Sequence, residues 1–209
     1  MKHEMHAGVT FAVATALEQK ALRRALPRAR IVRTGIALRD LDSDLGDVVV
    51  SCGLAGALRA DLRTGTVLIP RRVCRPDGEP VSCDAALVAL FTESARRLGL
   101  TPVGDPLLTA PAIVRGTERA TWASRGFAGV DMETGRIDAP RIAAVRVVLD
   151  TPAREISADW ERPVAAMLKP WNWPQALWLA REGPRAAALV AEVVAGAQGI
   201  PEWLRISRQ

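Results

Sequence analysis

Asp47-Val48-Val49-Val50-Ser51-Cys52 runs directly into Gly53-Leu54-Ala55-Gly56-Ala57-Leu58. The valine run, bounded by polar residues, has the short β-branched pattern of a strand buried on both faces. The segment after it is small and glycine-rich, which predicts a loop at the strand's carboxyl end. Glycine lets a backbone approach a ligand, and free N–H groups can cradle an anion or a hydroxyl. The spacing is not GxGxxG and has no Walker lysine. Taken alone, the segment reads more readily as a tight turn.

Working outward, strands and helices alternate. Val9–Val13 suits a strand, and Leu17–Leu26 a helix that Thr15 caps and Pro27 stops. Arg30–Arg33 and Thr66–Ile69 are extended. Asp84–Leu98 is the clearest helix: Leu87, Leu90, Phe91 and Leu98 share a face, and Gly99 ends it. Ile113-Val114 is extended, Thr117–Arg125 helical, and Gly129-Val130 leads into Asp131-Met132-Glu133. Ala144–Leu149 is a strong strand with Asp150 at its end. This order predicts an α/β fold of three layers, a central mixed and largely parallel sheet flanked by helices. Ligands in such sheets gather beyond the carboxyl ends of strands. Ser51–Gly56, Asp131–Glu133 and Asp150 all fall at such ends.

The bulk properties agree. The chain has 209 residues, 49% of them hydrophobic and 24% charged, with mean hydropathy +0.09. That suits one globular domain, residues 1–209, with a Trp-rich C-terminal extension from about residue 160 packed on it. It argues against a disordered chain, and no apolar run reaches the roughly 18–20 residues that span a bilayer. Net charge is +5 and the pI is about 9.8. The lysines are only Lys2, Lys20 and Lys169, so the excess is arginine. The arginines are scattered without interleaved aromatics, which excludes a nucleic-acid motif as the reading. Cys52, Cys74 and Cys83 have neither zinc nor disulfide spacing and point to a reducing compartment. Met1–Leu17 has the outline of a short signal peptide but reads better as strand then helix. His3, Glu4 and His6 read as a loose terminus rather than a metal grip.

Three residue groups carry chemistry. The first is the glycine segment. The second is Asp131-Met132-Glu133: a carboxylate at a strand end accepts two hydroxyl hydrogen bonds, as a ribose offers, and methionine gives an adaptable wall. Acids complementing a helix N-terminus are an equally good account of that trio. The third is Asp150. A carboxyl leaving a hydrophobic strand is partly desolvated, its pKa rises, and it can protonate a leaving group; a turn or helix cap is the plain alternative.

Taken together and in this order, Val48–Leu58, Leu62–Pro70, Val130-Asp131-Met132-Glu133-Thr134 and Val145-Arg146-Val147-Val148-Leu149-Asp150 resemble the purine nucleoside phosphorylase/nucleosidase superfamily. The superfamily includes bacterial methylthioadenosine/S-adenosylhomocysteine nucleosidases. The resemblance spans roughly residues 9 to 155. It implies cleavage of a purine N-glycosidic bond. Asp150 would assist the leaving base at N7, Glu133 would hold the ribose hydroxyls, and Met132 would pack on the sugar. Gly53, Ala55 and Gly56 would border the nucleophile, and Ile113 and Val114 would give an aliphatic wall to the base. The position implied for the water-activating glutamate falls on Lys20, half a turn from Glu18. Lys20 would suit phosphate as co-substrate and Glu18 would suit water; no metal or redox cofactor is implied. The stretch Leu168–Arg181, followed by Ala186–Val190, is similar to the tail of hopanoid-associated phosphorylases, which resemble nucleosidases that remove adenine from adenosylhopane. The implied setting is cytoplasmic, peripheral to the inner membrane, with a homodimer as the assembly. A general purine nucleoside phosphorylase, a methylthioadenosine/S-adenosylhomocysteine nucleosidase and a catalytically silent nucleoside- or lipid-binding homologue are the alternatives.

Five of the six tryptophans lie in the last 50 residues: Trp160, Trp171, Trp173, Trp178 and Trp203. Arg162, Lys169, Arg181 and Arg185 accompany them. Tryptophan with basic residues favours a membrane interface or a polycyclic lipid. Packing on the domain is the plain alternative. Pro170, Pro174 and Gly183-Pro184 predict that the tail breaks into short pieces, and Leu189, Val190, Val193 and Val194 form a stripe suited to core or to a subunit interface.

Overall fold

Ten consecutive residues, Val48–Ala57, form one strand at the centre of a nine-stranded mixed sheet. The computed structural model describes residues 8–41, 44–75, 77–161 and 166–197. In chain order the strands are β1 (Thr10–Val13), β2 (Arg30–Arg33), β3 (Val48–Ala57), β4 (Val67–Leu68), β5 (Arg72–Cys74), β6 (Pro80–Ser82), β7 (Leu107–Thr109), β8 (Gly129–Asp131) and β9 (Arg141–Asp150). The helices are α1 (Ala16–Ala25), α2 (Ala85–Arg97), α3 (Thr117–Ser124) and α4 (Trp173–Gly196). Parallel pairs join β1 to β2 and β3, β3 to β9, and β7 to β5 and β8. The pairs β3–β8, β4–β9 and β5–β6 are antiparallel. The expected largely parallel sheet flanked by helices is therefore the fold.

The glycine segment is the first correction. It is not a loop: β3 continues through Gly53 and Gly56, paired with β9 along its length. On its other edge β3 changes partner. Its pairing with β1 ends at Cys52, and its pairing with β8 starts at Gly56. Between them Gly53, Leu54 and Ala55 have no strand beside them on that edge. The gap in the sheet is where the cavity described below opens.

One face of the sheet is covered by α1, α2 and α4. Phe11, Val13, Leu22, Val50, Leu87, Phe91, Val145, Val190 and Val194 share one buried cluster. Asp84 caps α2 by accepting from the N–H groups of Ala86 and Leu87, both at 3.0 Å.

The tail is the second correction. Trp173–Gly196 is one continuous helix rather than short pieces. Pro174 stands in its first turn, where a backbone N–H has no intrahelical acceptor to lose. Pro184 lies inside, beside Gly183, where an added methyl would sit 3.4 Å from Leu17 Cδ2. Burial of Ala186, Ala187, Val190, Val193 and Val194 against the sheet outweighs the hydrogen bond that Pro184 forfeits. That stripe is core. Ile113-Val114 is irregular rather than a strand. His3, Glu4, His6, Arg162 and Trp203 lie outside the described residues. Among the described residues no helix is long and apolar enough to cross a membrane.

Candidate active site

A cavity of about 240 Å³ opens at the gap beside β3. That is near the lower edge of ligand pockets, which run from roughly 300 Å³. Glu18, the adjacent Met132 and Glu133, and Asp150, drawn from three separate parts of the chain, all line it. Ala55, Gly56, Ile113 and Val114 line it too, and Ile36, Leu54, Leu149 and Ile156 add apolar wall. Gly53 lies behind this lining. Lys20 does not reach the cavity: it is exposed on α1, two residues beyond the buried Glu18, and so points away from the side that faces the sheet.

Glu18 reaches the cavity because it closes a capping box. Thr15 donates to Glu18 Oε2 from its backbone N–H at 2.7 Å and from Oγ1 at 2.8 Å, while Glu18 N–H donates to Thr15 Oγ1 at 3.3 Å. Oε1 accepts the N–H of Leu54 at 3.1 Å. That is one of the β3 groups with no neighbouring strand, so the carboxylate stands in for the missing backbone partner.

The glycines of β3 now have a physical reason. A methyl at Gly53 would lie 2.5 Å from both Arg146 Nη1 and Glu18 Oε1, and at Gly56 it would lie 2.9 Å from Asp150 Oδ1. Each glycine clears room for a charged side chain of the site to pass over the strand, rather than presenting a phosphate cradle.

Arg146, 1% exposed, anchors the second wall. Its Nη2 lies 2.8 Å from Asp131 Oδ2, and donates to Ser51 Oγ at 2.6 Å and Thr134 Oγ1 at 2.8 Å. Asp131 also accepts from Thr109 Oγ1 at 2.7 Å and from the backbone N–H and hydroxyl of Thr134. This network pins the start of the Asp131-Met132-Glu133 segment, although the buried Arg146 Nε makes no hydrogen bond. Glu133 Oε1 accepts the N–H of Ala37 at 3.2 Å. Ala37 and Leu38 have φ of 56° and 59°. Left-handed backbone is uncommon for such residues and marks a turn held in shape by its contacts.

Burial pushes the Glu133 carboxyl up to about 7; Arg146 opposes the shift and Asp131 adds to it. An acid whose pKa is higher folded than unfolded loses stability as pH rises from the unfolded value, near 4.5, through about 7. Glu133→Gln removes that dependence. Wild type should lose on the order of 3 kcal/mol relative to Glu133→Gln between pH 4.5 and 8, as read by urea midpoints. A flat difference across that range contradicts it.

Asp150 leaves β9 at an irregularity: Ala55 pairs with Val148 but Gly56 pairs with Asp150, so Leu149 is an extra residue. Such a bulge re-aims side chains, and here the consecutive Leu149 and Asp150 both face the cavity. Burial raises the Asp150 pKa, against the opposing effect of Arg119, whose side chain donates to Asp150 Oδ2. Arg119 and Arg146 are the site residues that the sequence did not single out.

Residues 27–137, more than half of the chain, match the family described as Phosphorylase superfamily. The chain belongs to that superfamily. No curated protein matches the chain. Solved structures share the fold at low identity. Methylthioadenosine/S-adenosylhomocysteine nucleosidase from Helicobacter pylori is 13% identical with TM-score 0.68, over 93% of this chain and 98% of that one. Futalosine hydrolase from the same organism is 14% identical with TM-score 0.67, over 90% and 96%. The Neisseria meningitidis nucleosidase, in complex with methylthio-immucillin-A, is 18% identical with TM-score 0.64, over 90% and 97%.

Proposed function

We propose that this phosphorylase-superfamily chain hydrolyses the N-glycosidic bond of a purine nucleoside, releasing adenine from an adenosyl compound. The observation that carries the reading is the meeting of Glu18, Glu133 and Asp150 around one cavity that Met132 also lines. Each has a role in a reaction that builds positive charge on the ribose and negative charge on the base. Glu133 accepts the 2′ and 3′ hydroxyls, and Met132 packs on the sugar. Glu18 takes a proton from water as its oxygen bonds to C1′. The C1′–N9 bond breaks, and Asp150 gives its proton to N7 of the departing purine. Ile113 and Val114 form the apolar wall for the base.

Water is favoured over phosphate by charge. The ionisable lining residues are Glu18, Asp131, Glu133 and Asp150, so the lining offers a phosphate dianion no cation, and the Glu18 carboxylate that takes the proton of water would repel it. Lys20, the group that suited phosphate, is on the far side of α1. Adenine release should therefore be independent of added phosphate, and Lys20→Ala should keep kcat within about twofold, as surface changes usually do. Phosphate-dependent release that Lys20→Ala abolishes would sink hydrolysis.

The substrate we propose is an adenosyl compound with a bulky apolar 5′ group, adenosylhopane being the specific candidate. The apolar wall of the cavity supports this. So does the surface beyond it, where Met167, Leu168, Trp171, Trp173 and Leu177 are exposed, Leu168 at 81% and Leu177 at 74%. This surface is tied to the cavity wall. Ser157 N–H donates to Gln175 Oε1 at 2.9 Å, Gln175 Nε2 donates to Glu155 O at 2.9 Å, and Ile156 between them lines the cavity. A methylthioadenosine/S-adenosylhomocysteine nucleosidase is the second reading, favoured by the shared fold. Comparing kcat/KM for adenosylhopane, methylthioadenosine and adenosine separates the two. Trp171→Ala with Leu177→Ala should reduce flotation on liposomes containing anionic lipid several-fold; unchanged flotation removes the lipid contact.

A further inference from the structure

Asp150 is held from behind by an arginine from another element of the fold. Arg119, on α3, is 2% exposed and does not line the cavity. All of its nitrogens are engaged. Nε donates to Val114 O at 3.0 Å and lies 3.2 Å from Glu155 Oε1. Nη1 donates to Ala57 O at 2.6 Å, and Nη2 donates to Asp150 Oδ2. The planar guanidinium thus bonds at once to the end of β3, the loop before α3 and the end of β9. A side chain fixed at so many points cannot swing.

Asp150 Oδ2 also accepts the N–H of Ile156 at 3.4 Å. Oδ1 makes none of these bonds and lies over Gly56, which, like Asp150, is a lining residue of the cavity. The two oxygens therefore differ: one is anchored and the other is left for a ligand. Glu155 extends the support, since its Oε1 also accepts the N–H of Gly116 at the start of α3.

We infer that Arg119 is a positioning residue for the purine-protonating group, fixing which Asp150 oxygen meets the base and setting the pH range over which that carboxyl carries its proton. This rests on the proposed reaction. Burial raises the carboxyl's pKa and the guanidinium opposes that rise, so that the proton can be given up. A cation in contact with a carboxylate lowers its pKa by about one to three units, so removing the cation moves the titration upward by that amount.

The test is the pH dependence of kcat/KM for adenine release from adenosine or methylthioadenosine by wild type, Arg119→Lys and Arg119→Met. In Arg119→Met the alkaline limb should move up by about one to three pH units while kcat at the optimum falls at least tenfold. Arg119→Lys, which keeps a cation, should hold the limb within about half a unit of wild type. Should Arg119→Met not fold, Arg119→Met with Asp150→Asn removes the unpaired buried carboxylate and should refold, and Arg119→Lys still supplies the profile: a wild-type limb with lowered kcat supports the inference. An unmoved alkaline limb in Arg119→Met, or a limb displaced equally in Arg119→Lys, overturns it. No adenine release by wild type from any nucleoside would instead defeat the hydrolytic reading, which separates the two failures.

Discussion

Asp150→Asn should lower adenine release by about 10²–10⁴-fold, the usual worth of a positioned general acid, with the cavity otherwise intact. Asparagine keeps the shape of the carboxyl and an oxygen that can accept from Arg119 and Ile156 N–H, but has no acidic proton for N7. The change also leaves the Arg119 guanidinium facing a neutral amide in a buried position. Removing one partner of a buried pair costs about 3–5 kcal/mol; the retained amide oxygen and Glu155 keep the loss at the lower end. Stability and turnover are read separately, by denaturant midpoint and by single-turnover release of adenine. Wild-type rates in Asp150→Asn would remove Asp150 from the chemistry and with it the proposed reaction.

Gly53→Ala should be nearly as severe, although Gly53 touches no substrate. One methyl would stand 2.5 Å from Arg146 Nη1 and from Glu18 Oε1. Neither can yield cheaply. Arg146 is bound to Asp131, Ser51 and Thr134, and Glu18 to Thr15 and Leu54. Overpacking a buried site typically costs about 1–3 kcal/mol. A 1 Å misplacement of a reacting group can cost about 10²-fold. We therefore expect a lower melting temperature together with at least a hundredfold fall in kcat. Gly65→Ala is the control for backbone effects. It also removes a glycine with positive φ, but an added methyl there meets nothing within 4 Å; it should destabilise without a comparable loss of turnover. Full activity in Gly53→Ala would show that the carboxylate and guanidinium need not cross that strand.

These two residues also show how far the sequence speaks for the fold. Val48–Cys52 announced a buried strand because β-branched runs have few other uses. Asp150 stood out as a carboxylate closing such a run, but a turn or helix cap accounted for it as well until the cavity was seen. Thr15 read as a cap, which placed the start of α1 within a residue of Ala16, whereas the reciprocal bond from Glu18 emerged only in the structure. What stayed hidden depends on the third dimension. Gly53 and Gly56 read as a loop because a sequence does not show which side chains must cross a strand. Lys20 and Glu18 are two apart, and only the orientation of α1 on the sheet decides which faces inward. Arg119 and Arg146 looked like two more scattered arginines. Their partners, Asp150 and Ser51, lie 31 and 95 residues away. The bulge at Leu149 leaves no mark in composition at all.

Glu18 clamps the start of α1, and in the proposed reaction the same carboxylate would also accept the proton of water. Each turnover that places a proton there weakens the bonds Thr15 makes to it, so the opening turn of α1 should loosen and re-form in rhythm with the reaction. Amide exchange at Thr15 and Leu54, whose N–H groups both bond to Glu18, should then quicken under steady-state catalysis, giving a reporter of the chemical step that needs no label on the substrate.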